Sequence, residues 1–97
     1  MVEKFIINAV GGYTENDWQN PRTGEKKLIK SFGLVLQSGN NSFVAEASDE
    51  TAEKLKGMNL KPDSQVLASL SFVASRQEKD GNVRYYQRVR IEKLVVL

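Results

Sequence analysis

The sequence predicts a small all-β domain with little helix, a five-stranded Greek-key barrel carrying one short helix between strands 3 and 4. Three observations predict it. Five stretches alternate apolar and polar residues with a period of two, the pattern of strands with one buried face. Turn signals separate most of them, among them Ser38-Gly39-Asn40-Asn41 and Asp80-Gly81, where glycine and asparagine tolerate positive φ. A single segment after residue 47 switches to helical spacing. At 97 residues the chain is expected to form one domain spanning 1–97, since domains cluster near roughly 100–150 residues.

The first strand reads Glu3 to Val10, with Phe5, Ile7 and Ala9 on one face and Ile6 and Val10 on the other. Gly11-Gly12 follows, where the absence of Cβ lets a strand bend or bulge. Thr14 to Gly24 is polar, holds Asn20-Pro21 and Thr23-Gly24, and reads as a loop with Trp18 in its middle. A second strand runs from about Lys26 to Gln37, and Gly33 inside it suggests a bulge or tight bend. The third covers Ser42 to Ala47.

Ser48-Asp49-Glu50-Thr51 then offers N-cap chemistry with acidic residues in a first turn, where the helix dipole favours them. Ala52, Leu55 and Met58 share a face at helical spacing, so the helix is expected over Asp49–Lys56, ended by Gly57. The fourth strand runs from Ser64 to Arg76, the fifth from Val83 to Ile91 and on towards Val96. Phe5, Phe43 and Phe72 are expected in the core by their pattern.

This order, three strands, a helix and two strands, is that of the OB-fold, a partly open Greek-key barrel whose loops between strands 1–2 and 4–5 flank a binding face. Charge agrees with it. The net charge is only +2, but residues 21–45 and 76–97 each carry +3, whereas 1–20 and 46–75 each carry −2. The excess therefore sits at the two flanking connections and the deficit at the helix. In that pattern of elements and charge, from Phe5 to Val96, the chain resembles the small single-stranded DNA-binding proteins of OB architecture, including the filamentous-phage and primosomal types. The resemblance implies binding of single-stranded DNA with aromatic residues stacking on bases, often by a homodimer or higher homo-oligomer, in replication, recombination or repair.

The residues themselves point the same way. In Val83-Arg84-Tyr85-Tyr86-Gln87-Arg88-Val89-Arg90-Ile91, strand alternation projects Arg84, Tyr86, Arg88 and Arg90 to one side and Tyr85, Val89 and Ile91 to the other. Guanidinium groups bind phosphate in two-point fashion and stack on bases, and tyrosine offers a π-face. The competing reading is a solvated face that uses arginine to protect an edge strand. Arg76 lies at the other side of the same hairpin. Arg22, Lys26, Lys27 and Lys30 form a second basic cluster beside Trp18, which either caps the barrel or stands exposed as a stacking platform. Phe32 shares a parity with Lys30, and is either a stacking ring or part of the core.

Nothing in the sequence points to catalysis. The chain has no histidine and no cysteine, which removes the commonest general base, thiolate metal ligands and disulfides. No metal, cofactor or small-molecule substrate is expected, Asp49, Glu50 and Glu53 being explained by their place in a first helical turn. No run of about 18 apolar residues suggests a membrane helix, and the N-terminal apolar stretch is short for a secretory signal. The cytoplasm is the expected compartment. Two other readings remain at this stage: an RNA-binding domain using the same face, and a protein-interaction module using the edge strand and the Arg/Tyr face, since both residue types are enriched at interfaces.

Overall fold

The computed structural model describes residues 2–97. The alternating stretches form β1 (Val2–Gln19), β2 (Lys26–Ser38), β3 (Asn41–Ser48), β4 (Gln65–Lys79) and β5 (Asn82–Val96), with α1 (Asp49–Lys56) between β3 and β4. They close into a barrel in the order β1-β2-β3-β5-β4, the OB arrangement. β1 serves both halves, pairing with β4 over Val2–Ile6 and with β2 over Ile6–Gln19. All ladders are antiparallel except β3–β5, where one parallel pair, Glu46↔Arg90, closes the circuit.

Inward alternation builds the core. Phe5 and Ile7 of β1 meet Phe32, Leu34 and Leu36 of β2, Ala45 and Ala47 of β3, Val66 and Ala68 of β4, and Val89, Ile91 and Leu94 of β5. Ala52 and Leu55 of α1 plug the end of this interior. Ser48 occupies the N-cap position in an extended conformation, but its hydroxyl makes no capping bond. Asp49, at φ 52°, turns the chain into the helix instead.

The bend expected at the glycines is real and lies on β1. Register shifts fall between Ile7 and Ala9 and between Val10 and Gly12, whereas Gly33 stays in register opposite Gly12. Gly12 has φ +93°, a region costly for any residue with a Cβ, and a Cβ on Gly11 would sit 3.1 Å from the Gly33 carbonyl oxygen.

Two expectations need correction. Thr14–Gln19 is not a loop: it continues β1 and pairs with Lys26–Ser31, so β1 and β2 project together as a ribbon. Only Asn20–Glu25 turns, held by Gly24 N–H donating to Asn20 O (2.8 Å) and Arg22 N–H donating to Asn20 Oδ1 (2.9 Å). Phe72 is not core. It keeps inward parity beside Leu70, but β4 has by then run past the barrel wall, and the ring is 64% exposed. β4 and β5 thus form a second ribbon, beyond the last β1 pair at Val2↔Ser69 and turning through Asp80 and Gly81, both at positive φ.

Candidate nucleic-acid interface

Residues directly opposite one another in a ladder point to the same side of the sheet. Following the pairs outward from the core shows which candidates share a surface. Gly12 faces Gly33, Gly33 faces Glu46, Glu46 faces Arg90, and Arg90 faces Ser71, one row on the outside of all five strands. Its β1–β2 end is bare backbone, and Glu46 stands at its middle. The next row on one side is Thr14, Ser31 and Ser48, with a 2.9 Å hydroxyl–hydroxyl hydrogen bond between the first two. On the other side stand Val35 and Val44. The result is a shallow trough floored by two glycines on β1 and β2 and bounded by Glu46 on β3, with hydroxyls along one bank and valines along the other.

Each end of this trough runs into a ribbon. On the β1–β2 ribbon the outward side continues through Asn16 and Ile29 to Trp18 and its partner Lys27. Trp18 is 46% exposed, so it does not cap the barrel. On the β4–β5 ribbon the outward side carries Arg90, Arg88, Tyr86 and Arg84, a line about 20 Å long at roughly 3.3 Å per residue. Because β3 and β5 separate beyond Glu46↔Arg90, a groove of about 910 Å³ opens between them, walled by Val44, Glu46, Val73, Tyr86, Arg88 and Arg90.

Electrostatics separates the cations into two groups. Among the described residues the ion pairs within 4.0 Å are Lys30 with Glu53 at 2.7 Å and Arg76 with Glu78 at 3.4 Å. Arg84, Arg88, Arg90, Lys27 and Arg22 are exposed and make no ion pair within that distance, with Glu46 standing opposite Arg90 in the ladder.

Several predicted site residues therefore fall elsewhere. Phe32 points inward and is 6% exposed, so its ring is core and offers no face to a base. Lys30 shares its inward parity, which at the ribbon's root aims it at α1 and Glu53. Lys26 takes the same side of the ribbon as Lys30, away from Trp18. Arg76 pairs with Tyr85 and so lies on the reverse of the β4–β5 ribbon.

Lys30 acts as a strut for the ribbon that carries Trp18. Its hydrogen bond to Glu53 holds the lysine above and the carboxyl below their ordinary ranges. The bridge contributes while Glu53 is ionised and Lys30 protonated. That contribution is lost as pH falls through the lowered Glu53 value, or rises through the raised Lys30 value. Beside it the Tyr13 hydroxyl donates to Glu15 at 2.6 Å, which pushes the phenol up to about 12 and keeps it a neutral donor, while Lys56 Nζ lies 4.4 Å from the ring centroid.

The trough itself escapes a sequence reading, because its floor is the lack of side chains and its banks are ordinary serines and valines. Gly33 allows a direct check. A Cβ there would meet nothing within 4 Å and its φ is unstrained, so Gly33→Leu should fold as the parent does. The added side chain should obstruct a ligand in the trough and lower its affinity by about tenfold or more, roughly one displaced stacking contact. Titration of the folded variant with a labelled oligonucleotide measures it, and unchanged affinity would remove the trough from the site.

No family model and no curated protein sequence matches the chain. Solved structures do. The chain is similar to the mitochondrial single-stranded DNA-binding protein Rim1 of S. cerevisiae, with a TM-score of 0.57 and 10% identity over 100% of this chain and 92% of that one. It is also similar to the small single-stranded DNA-binding protein of Streptomyces coelicolor, with a TM-score of 0.50 and 11% identity over 99% and 93% of the respective chains. At such identities the likeness establishes the OB-fold in the form those proteins share.

Proposed function

We propose that this chain binds single-stranded nucleic acid, single-stranded DNA in the first instance, along its outer face and without catalysing a reaction. The observation that carries the reading is one continuous surface. It joins an exposed tryptophan, a backbone-floored trough and a row of unpaired arginines with a tyrosine among them. Bases stack on Trp18 and Tyr86 or lie on the glycine floor, where backbone can be approached closely. Arg84, Arg88 and Arg90 take the phosphates, with Lys27 and Arg22 at the opposite end. Recognition of this kind tolerates any sequence, because every base has a π-face and every nucleotide a phosphate. The likeness to two single-stranded DNA-binding proteins supports DNA over RNA, and a role in replication, recombination or repair is part of the same proposal. A cysteine-free chain suits the reducing cytoplasm.

Trp18 is the single tryptophan, so its fluorescence reports the site without a label. Oligo-dT should quench it, with an affinity that falls steeply as salt rises, about 0.7 counterion being released per phosphate contact. Trp18→Ala, followed by anisotropy of a labelled oligo-dT, should lose about 1–3 kcal/mol of binding. Affinity that is indifferent to salt would overturn the phosphate contacts. Quenching in the parent with full affinity in Trp18→Ala would reduce the tryptophan to a bystander. Running oligo-U in parallel separates RNA from DNA.

A further inference from the structure

We infer that Glu46 reads a base: on the surface proposed above it accepts hydrogen bonds from the pairing edge of a guanine and disfavours thymine at that place. The inference rests on the reading of this face as a single-strand surface, and adds a base preference to it.

Glu46 is an anion in a cationic path. Outward parity on β3 places it between Gly33 of β2 and Arg90 of β5. It is exposed and makes no ion pair within 4.0 Å. It also stands at the head of the groove between β3 and β5, where it is the one carboxylate among the described lining. Glu92, two residues beyond Arg90, already accepts a hydrogen bond from Ser71 Oγ at 2.8 Å. The groove offers about 910 Å³ with Val44 and Val73 as apolar walls, whereas roughly 150 Å³ suffices for one benzene ring, so a purine has room.

Charge decides which part of a nucleotide meets Glu46. A carboxylate repels phosphate, and Arg88 and Arg90 draw phosphate towards β5. Neighbouring strands lie about 4.8 Å apart, so a phosphate held on Arg90 leaves its base within reach of Glu46. In a single strand the pairing edge of that base is free.

Hydrogen-bond chemistry then decides which base. A carboxylate only accepts, through two oxygens. Guanine presents N1–H and its 2-amino group side by side, two donors for two oxygens, as the fork of an arginine does. Cytosine and adenine present one amino group beside a ring nitrogen that itself accepts. Thymine presents one N–H between two carbonyl oxygens, which crowd the carboxylate with like partial charge. Stacking and phosphate contacts remain tolerant of sequence, and the bias belongs to one nucleotide of the bound strand.

Anisotropy titrations in a lithium buffer, which disfavours guanine quadruplexes, test this with three labelled strands of equal length. One is oligo-dT. The second carries guanine at every third position, and the third carries hypoxanthine there, which keeps N1–H but lacks the 2-amino group. The parent should bind the guanine strand about fivefold or more tighter than oligo-dT, the lower end for a two-point base contact. Hypoxanthine stacks much as guanine does, so its strand should lose most of that gain only where the amino donor is read. Glu46→Gln, its fold verified by circular dichroism, should bring the guanine and hypoxanthine strands level while holding oligo-dT at least as tightly as the parent. If the parent binds oligo-dT but does not separate guanine from hypoxanthine, base reading is refuted and the single-strand surface stands. A guanine preference that survives Glu46→Gln refutes the role of Glu46. Failure of all three strands to bind removes the surface, and this inference with it.

Discussion

Replacing Arg84, Arg88 and Arg90 together with glutamine should weaken binding to oligo-dT by about 150-fold, at roughly 1 kcal/mol for each exposed charged contact. Glutamine keeps much of the apolar stem that lies along the strand, so the loss reports charge more than packing. The same triple change should flatten the plot of log affinity against log salt by about 2, three contacts each releasing about 0.7 counterion. The weakening should be similar for every sequence tried, because phosphate contacts carry no base information. Arg76→Gln is the control. Arg76 sits on the same ribbon within a few residues, but it points to the reverse face and is paired with Glu78. It should leave the salt slope intact. Flattening by Arg76→Gln of about a third of that of the triple change, the same for each charge removed, would mean that net charge, rather than the outward row, governs the interaction.

Leu36→Ala should cost about 2–5 kcal/mol of folding free energy, the usual range for a leucine deleted from a packed core. Leu36 is fully buried and pairs with Ile7 on one side and Phe43 on the other, so its loss leaves a hole where three strands meet. Domains of this kind have roughly 5–15 kcal/mol in total, so the variant should unfold at much lower urea. Val35→Ala, one residue away and facing the trough, should cost about 0.5 kcal/mol or little more. Equilibrium urea unfolding of the two variants measures the difference. Similar losses in both would mean that inward and outward parities along β2 are wrongly assigned, and the trough with them.

The barrel was legible because burial writes a period of two into Phe5 and Ile7, and into Phe32, Leu34 and Leu36, while α1 breaks that period with Ala52 and Leu55. The arginine row was legible for the same reason: Val89 and Ile91 must face inward, which forces Arg88 and Arg90 outward. What eluded the sequence was where the barrel wall stops. Thr14–Gln19 shows no alternation because a projecting ribbon has water on both faces, so its strand character comes from pairing alone. Phe72 has the correct parity for the core but stands past the end of it. Lys30 and Arg76 looked like members of basic clusters, and only the position of Glu53 on α1 and of Glu78 two residues on reveals that their charges are answered. Phe32 required knowing that Gly33 stays in register and the bulges lie on β1.

The lone parallel pair between Glu46 and Arg90 makes the barrel a ring with one clasp. Every other seam is a ladder of several pairs, so this seam has the fewest backbone bonds to break when the ring opens. Arg90 belongs both to that clasp and to the proposed phosphate row. A polymer lying over it while touching the β2–β3 wall bears on both halves of the clasp at once, so occupancy favours the shut ring by whatever affinity the sprung ring forgoes.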